Sequence, residues 1–235
     1  MGVRVYFHPT CATSWRLIKG LHEEGYLKEV ELVDLTKPVK LVWSVPWVEV
    51  DGVPAATDPV KVEEVLDILR GRVRPPKKGV TAFVRALIHS TFASSLAYLH
   101  DSLRVVLDDD FLKAATRYPF GGAPPEEVKE SVLSQEEELL DRYREDLKYT
   151  LAVGYVRYLY WSGGEPDPKG ATLWLLTSAS VGRVGLPWKP LEAREKGEDL
   201  FKLVKENREL YDKVKAEQEA IAEDELYWRI VGGEV

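Results

Sequence analysis

The chain contains one cysteine, Cys11, in the segment His8-Pro9-Thr10-Cys11-Ala12-Thr13-Ser14. A thiolate attacks disulfides and electrophiles where a thiol does not. The segment lies between a short β-rich run, Val3 to Phe7, and a run from Thr13 to Glu24 in which Trp15, Leu17, Ile18 and Leu21 fall at helical spacing. Cys11 is therefore expected at a helix N-terminus, where unpaired N–H groups and the helix dipole favour the thiolate and lower its pKa. A structural cysteine usually sits inside an apolar run, whereas Cys11 sits among Pro, Thr and Ser. Ser14 is placed to donate a hydrogen bond to the sulfur. With one cysteine the chain can build neither an internal disulfide nor a cysteine-based zinc or iron–sulfur site.

The elements that must position this turn are readable around it. Gly25 stands where a helix stop is expected, and Val30 to Leu35 alternates like a strand. Trp47 to Val50, the turn Asp51-Gly52 and Val53 to Ala56 read as a hairpin. Asp58-Pro59 reads as an N-cap followed by proline at the first helical position. The helix that follows carries Val62, Val65, Leu66 and Leu69. The proline-rich break Arg72 to Gly79 is the best boundary, giving an α/β domain over 1–75 and an all-helical domain over 80–235. In the second part, Val80 to Leu107 is a long mixed-apolar stretch. Asp108 to Asp110 caps a short helix rather than holding a cation. A long helix opens at Pro124 to Glu127 and runs to about Trp161, ended by Gly163-Gly164. Two more fit Lys169 to Val184 and Leu191 to Val231, the latter broken near Gly197.

The first strand, the Cys11-Ala12-Thr13-Ser14 turn and the helix after it resemble the thioredoxin superfamily, particularly glutaredoxins and glutathione-transferase-like proteins. Ser14 stands where a dithiol member has its second cysteine. Ser44-Val45-Pro46, just before a strand, resembles the superfamily's cis-proline loop, which implies a cis Val45–Pro46 bond facing Cys11. Thr57-Asp58 stands where transferases hold the amino-terminal end of their ligand; Thr57 departs from the acid found there. The order of helices after the whole sheet also matches the transferases. The resemblance implies catalysis by Cys11 and Ser14. Val45 would pair through its backbone with an extended thiol peptide, and Pro46 would offer an apolar wall. Asp58 would hold a ligand ammonium or simply cap a helix. Glutathione or another small thiol is implied as co-substrate, with no tightly bound cofactor, and transferases usually form homodimers. The expected function is thiol transfer, reduction or conjugation by a single cysteine. The alternatives are an arsenate-reductase-like redox protein, in which Arg16 would bind an oxyanion, and a non-catalytic assembly module.

Other residues have plainer readings. Arg16 supports the thiolate or is a solvated helix residue. His8 is a base or ends the first strand. His89 and His100 are ordinary helix residues. Tyr98, Tyr155, Tyr158, Trp161 and Trp174 line a pocket beside Cys11 or pack the core.

Composition limits the function classes. The 235 residues carry a net charge of −7, divided as +1 over 1–78 and −8 over 79–235, which argues against a nucleic-acid partner. No apolar run approaches the roughly 20 residues of a membrane span, and no signal-peptide core opens the chain. A cytoplasmic protein is expected. One Asn, two Gln and abundant Lys, Arg and Glu fit a thermophile.

Overall fold

The computed structural model describes residues 2–179 and 190–235. Its first part contains β1 (Val3–Phe7), α1 (Ala12–Glu23), β2 (Val30–Asp34), β3 (Trp47–Val50), β4 (Val53–Thr57) and α2 (Val62–Leu69). The strands form one mixed sheet in the order β2-β1-β3-β4. β1 is inside the sheet, parallel to β2 and antiparallel to β3, and β3 pairs antiparallel with β4. The hairpin turn has φ of 49° at Asp51 and 83° at Gly52. This is the type I′ loop, which needs left-handed backbone at both central positions; glycine adopts it freely and aspartate tolerates it.

Period-2 alternation divides the sheet into two faces. Val3, Val5, Val48 and Val50 pack with Leu17, Leu21 and Val65 from the first two helices. Tyr6 and Trp47 enter a separate core built with the later helices, alongside Phe83, Phe111 and Leu151. The buried Glu49 shares their strand face and is satisfied there. Tyr6 Oη donates to it at 2.9 Å, Trp47 Nε1 at 3.2 Å, and Lys40 pairs with the same carboxylate. A buried charge with this many partners avoids most of the cost of an unpaired one.

Residues 71–78 carry no helix or strand. Beyond them come α3 (Gly79–His89), α4 (Thr91–His100), α5 (Asp109–Thr116), α6 (Pro125–Leu133), α7 (Glu136–Ser162), α8 (Pro168–Ala179), α9 (Pro190–Glu206), α10 (Arg208–Ala222) and α11 (Glu225–Val231). Short 3₁₀ turns occupy Leu27–Glu29 and Arg104–Val106. No strand occurs after β4 among the described residues. The expected helix from Lys169 runs to Ala179, and its remainder to Val184 lies outside the described residues.

Several sequence expectations need correction. α2 begins at Val62, not at Pro59; Lys61 is its N-cap, and the Glu64 carboxylate accepts the Lys61 N–H at 2.8 Å. Asp58 is instead tied back to the sheet, its N–H donating to the Pro46 carbonyl at 3.0 Å. The apolar stretch from Val80 is two helices bent by 97° at Ser90, whose hydroxyl accepts the Ala93 N–H at 3.0 Å. The helix from Pro124 is also divided, with Gln135 as the N-cap of α7. Gly197 breaks nothing. It lies within α9, where a Cβ would stand 2.2 Å from Thr172 Oγ1, so it allows close packing against α8. The breaks fall at Asn207 and Asp224, whose side chains accept the N–H of Leu210 at 2.9 Å and Tyr227 at 3.0 Å. Asp108 caps α5 as expected.

No single helix among the described residues is long and apolar enough to cross a membrane; α3 and α4 pass by length and composition only as a bent pair.

Asp224 ties the end of the chain to α1. Besides capping α11, it accepts from Trp15 Nε1 at 2.9 Å and Lys19 Nζ at 2.7 Å. Burial opposes its ionisation, but the bonds from Lys19, the Tyr227 N–H and Trp15 win and hold it below the usual carboxylate range. A depressed folded-state pKa contributes stability above the unfolded-state value that is lost as pH falls through the folded one. Asp224→Ala should therefore cost about 1–3 kcal/mol at neutral pH. The deficit should shrink between about pH 5 and pH 2. Urea unfolding of both proteins across that range checks it; an equal deficit at both ends would contradict the assignment.

Candidate functional site

Cys11 is the N-cap residue of α1, with φ −81° and ψ 119°. Its N–H donates to the His8 carbonyl at 3.0 Å and its carbonyl accepts the Trp15 N–H at 2.9 Å. Tyr227 of α11, fully buried, fixes the same turn by donating to the Pro9 carbonyl at 2.9 Å. The Cys11 thiol donates to the Val45 carbonyl at 3.4 Å. The Val45–Pro46 peptide is cis, as are Asp58–Pro59 and Tyr118–Pro119.

The thiol lies at the wall of an open cavity of about 970 Å³ lined by the β1–α1 turn, the 42–45 loop and helices α3, α4, α7 and α8. Trp43, Phe92, Tyr149, Tyr158, Trp161 and Trp174 supply aromatic surface. Trp43 packs against Phe92 with centroids 5.1 Å apart and stacks on Phe111 at 5.6 Å, which fixes the position of that wall. Gly154 lets α7 pass close by: a Cβ there would meet Trp174 at 2.9 Å and Thr91 at 3.0 Å.

Polar groups concentrate near the sulfur. Asp58 is 5% exposed, lines the cavity, and its Oδ1 has no hydrogen-bond partner. Its Oδ2 lies 3.8 Å from His89 Nδ1. Burial raises the Asp58 pKa to about 7, while a hydrogen bond from Thr13 and the charges of Arg157, Arg16 and Arg85 act in the opposite direction. Ser44 Oγ and Arg157 Nε are also buried without partners. Arg157 is held by Glu217, 3.0 Å away, and Glu217 is held on its other oxygen by Arg16 at 2.7 Å. An unpaired buried polar group costs about 1–3 kcal/mol. Three at one cavity mark a site built for something other than packing.

The expected lowering of the Cys11 pKa is not found. Burial, and then the negative charge of Asp58, push the thiol up; Arg157 and the Ser14 N–H and hydroxyl pull it down but do not prevail. A helix N-terminus favours the thiolate, but Cys11 is half-buried at the cavity wall and the desolvation cost outweighs that help.

The structure sorts the other expected residues. Ser14 is fully buried, does not line the cavity, and its Oγ has no hydrogen-bond partner. Val45 lines the cavity, but its carbonyl is taken up by the thiol. Pro46 and Thr57 are buried and do not line it; the Pro46 carbonyl instead anchors Asp58 and accepts from Thr57 Oγ1 at 3.4 Å. Arg16 is exposed and faces Glu217 rather than the cavity. Tyr158, Trp161 and Trp174 line the cavity, whereas Tyr98 and Tyr155 are buried in the core. His8 is at the rim, its Nδ1 accepting the Thr10 N–H at 3.3 Å. His89, read as an ordinary helix residue, belongs to the site, as do Arg157 and Trp43. An arginine inside the aromatic run Tyr149 to Trp161 was the available signal for Arg157. Among the described residues no group of three or more His, Cys, Asp and Glu could hold a metal ion.

No family model matches the chain, and comparison with curated proteins and with solved structures gives no match.

Arg157 is the cation that favours both ionised groups. Arg157→Met should raise the pKa of Cys11 and of Asp58 and slow alkylation of Cys11 at mildly basic pH by roughly 2- to 10-fold. Iodoacetamide modification followed by mass spectrometry measures this. An unchanged rate would show that the guanidinium does not act on the sulfur.

Proposed function

We propose that the protein performs thiol chemistry through Cys11 alone, as a thiol transferase or oxidoreductase on a thioredoxin-like, glutathione-transferase-like scaffold. The observation that carries this reading is the placement of the one sulfur at the wall of a large aromatic cavity, beside buried polar groups that the protein itself leaves unpaired. The four-stranded mixed sheet and the Ser44-Val45-Pro46 loop opposite the cysteine support it further.

In this reading the resting sulfur is protonated and donates to Val45. A disulfide or electrophile enters along the aromatic wall, displaces that contact and meets the sulfur as it loses its proton. Glutathione or another small thiol completes the cycle by releasing the mixed disulfide. Ser14 cannot form a disulfide, so the product of the first step persists until that second thiol arrives. A reducing cytoplasm suits such a cycle, because it keeps Cys11 reduced between turnovers. Of the cations near the turn, Arg157 bears on the thiol, whereas Arg16 points away from the cavity; this places the oxyanion-reductase reading second.

Incubation with oxidised small thiols should give a single adduct on Cys11 by mass spectrometry, reversed by the matching reduced thiol. Cys11→Ser should give none while melting at the same temperature to within a few degrees. Wild-type protein that forms no adduct with any disulfide or electrophile offered would instead favour a non-catalytic assembly role for the fold.

A further inference from the structure

The exposed aromatic side chains of this protein are not scattered. Among the described residues three are exposed, Tyr149 at 46%, Tyr158 at 51% and Trp161 at 41%, and all three line the Cys11 cavity from α7. Half-buried Trp43, Phe92 and Trp174 face the same space from other elements. Soluble proteins seldom leave apolar surface gathered in this way unless something covers it. Aromatic faces grouped in a cavity suit an apolar, flat body.

One permanent cation accompanies them. Arg157 is the only Lys or Arg among the described residues that line the cavity, and it shares a helix face with Trp161, four positions on. Its Nη2 donates to Glu217 at 3.0 Å, while its Nε is buried and bonds to nothing. Glu217 does not cancel its charge, because the same carboxylate also holds Arg16 at 2.7 Å: two guanidinium groups share one negative charge. Asp58 is not its partner either, since Oδ1 is unbonded and Oδ2 faces His89. Burial holds His8 and His89 below the ordinary histidine value, helped at His89 by Arg85, so neither ring adds much positive charge at neutral pH. Asp58 and Asp146 line the cavity too, and they would repel a multiply charged anion more than a singly charged one.

We propose that Arg157 is the specificity residue of this site and that the substrates are aromatic carboxylates: a ring against the α7 aromatics, a carboxylate on the guanidinium, and a disulfide or electrophilic centre turned to Cys11. The proposal rests on the thiol-chemistry reading for its reacting end; its binding end stands on the cavity alone. A planar guanidinium matches a carboxylate in shape as well as charge. A compact oxyanion would satisfy Arg157 and leave the aromatic faces bare, and an uncharged arene would do the reverse. With an aromatic disulfide, the Cys11 sulfur bonds one substrate sulfur as the S–S bond breaks. The other sulfur leaves as an arylthiolate with that electron pair, and the thiol proton goes to solvent.

The test compares two aromatic disulfides, dithiobis(nitrobenzoate), with a carboxylate on each ring, and dithiodipyridine, with none. Each is reacted with Cys11 in the full chain. Arg157→Met should slow dithiodipyridine only through the sulfur, by the factor seen with iodoacetamide. It should slow dithiobis(nitrobenzoate) roughly 10-fold more. Arg157→Lys, which keeps the charge and loses the planar fork, should recover part of that difference. Equal slowing of both disulfides by Arg157→Met would overturn the proposal and leave the thiol-chemistry reading standing.

A second measurement does not depend on reactivity. Isothermal titration of the Cys11→Ser protein with naphthoate and with the uncharged naphthamide isolates the carboxylate. Naphthoate should bind roughly 10-fold tighter. Tyr158→Ala, a change at a half-exposed position, should weaken both probes alike. This comparison leaves Arg157 in place, so it decides even if Arg157→Met fails to fold. If neither disulfide modifies Cys11, the thiol-chemistry reading fails, and the titration still decides the binding end. Equal affinity for the two probes, or no binding of naphthoate at millimolar concentration, decides against it.

Discussion

Drawing one sulfur partly out of water sets the terms for the groups around it. A thiol at the start of a helix in solvent ionises easily, because orphan N–H groups and the dipole favour the anion. At Cys11 the same backbone geometry is present, yet the surrounding protein reverses the outcome. Desolvation acts on the charged form over the whole sulfur surface, whereas the helix end contributes through a few N–H groups on one side. The balance at Cys11 disfavours the anion. Asp58, buried at the same cavity, carries a negative charge that pushes the thiol pKa further the same way.

The enclosure of the sulfur is a product of the whole chain. Its floor is local, made by the β1–α1 turn and by Ser14 on the first turn of α1. The opposing wall comes from the loop before β3, held to the helices through Ser90, whose hydroxyl donates to the Trp43 carbonyl. The far walls are α7 and α8. Tyr6 and Trp47 belong to the same buried cluster as residues of α3, α5 and α7, so the sheet and the helices share a core on the side where the cavity opens.

This division explains what the sequence revealed. The Cys11 turn, the Asp51-Gly52 hairpin and the cap at Asp108 obey local rules, in which residue type and a spacing of a few positions decide the backbone. They were legible for that reason. Asp58 was legible as a polar residue of interest but not in its placement, since the rule that reads Asp-Pro as a helix start does not see the Pro46 carbonyl that holds Asp58 to the sheet end. His89 and Arg157 lie 78 and 146 positions beyond Cys11. Nothing in their own neighbourhoods says that they meet it; only the bend at Ser90 and the length of α7 do. Gly197 misled for the opposite reason: its value is the absent side chain against Thr172, a tertiary fact that resembles a helix break when read locally. The lone Asn207, rare in this chain, does mark a true break, because its side chain can replace the missing helical acceptor.

The last two helices add a constraint that extends to the chemistry. Glu217 of α10 joins Arg16 on α1 to Arg157 on α7, and its neighbour Gln218, fully buried, accepts from Trp161 Nε1 at 2.8 Å. Asp224 grips Trp15 and Lys19, and Tyr227 grips Pro9. Every one of these contacts ends either on the segment that presents the sulfur or on the α7 face that carries Arg157. The orientation of the guanidinium toward Cys11 and Asp58 therefore depends on a carboxylate that also anchors the first helix. Because Arg157 is shared between Glu217 and the cavity, any shift of α10 changes the field at the thiol as well as the packing of α1. In this protein the helix that pairs with α1 through Glu217 also holds, by the same carboxylate, a cation that draws the thiol toward ionisation.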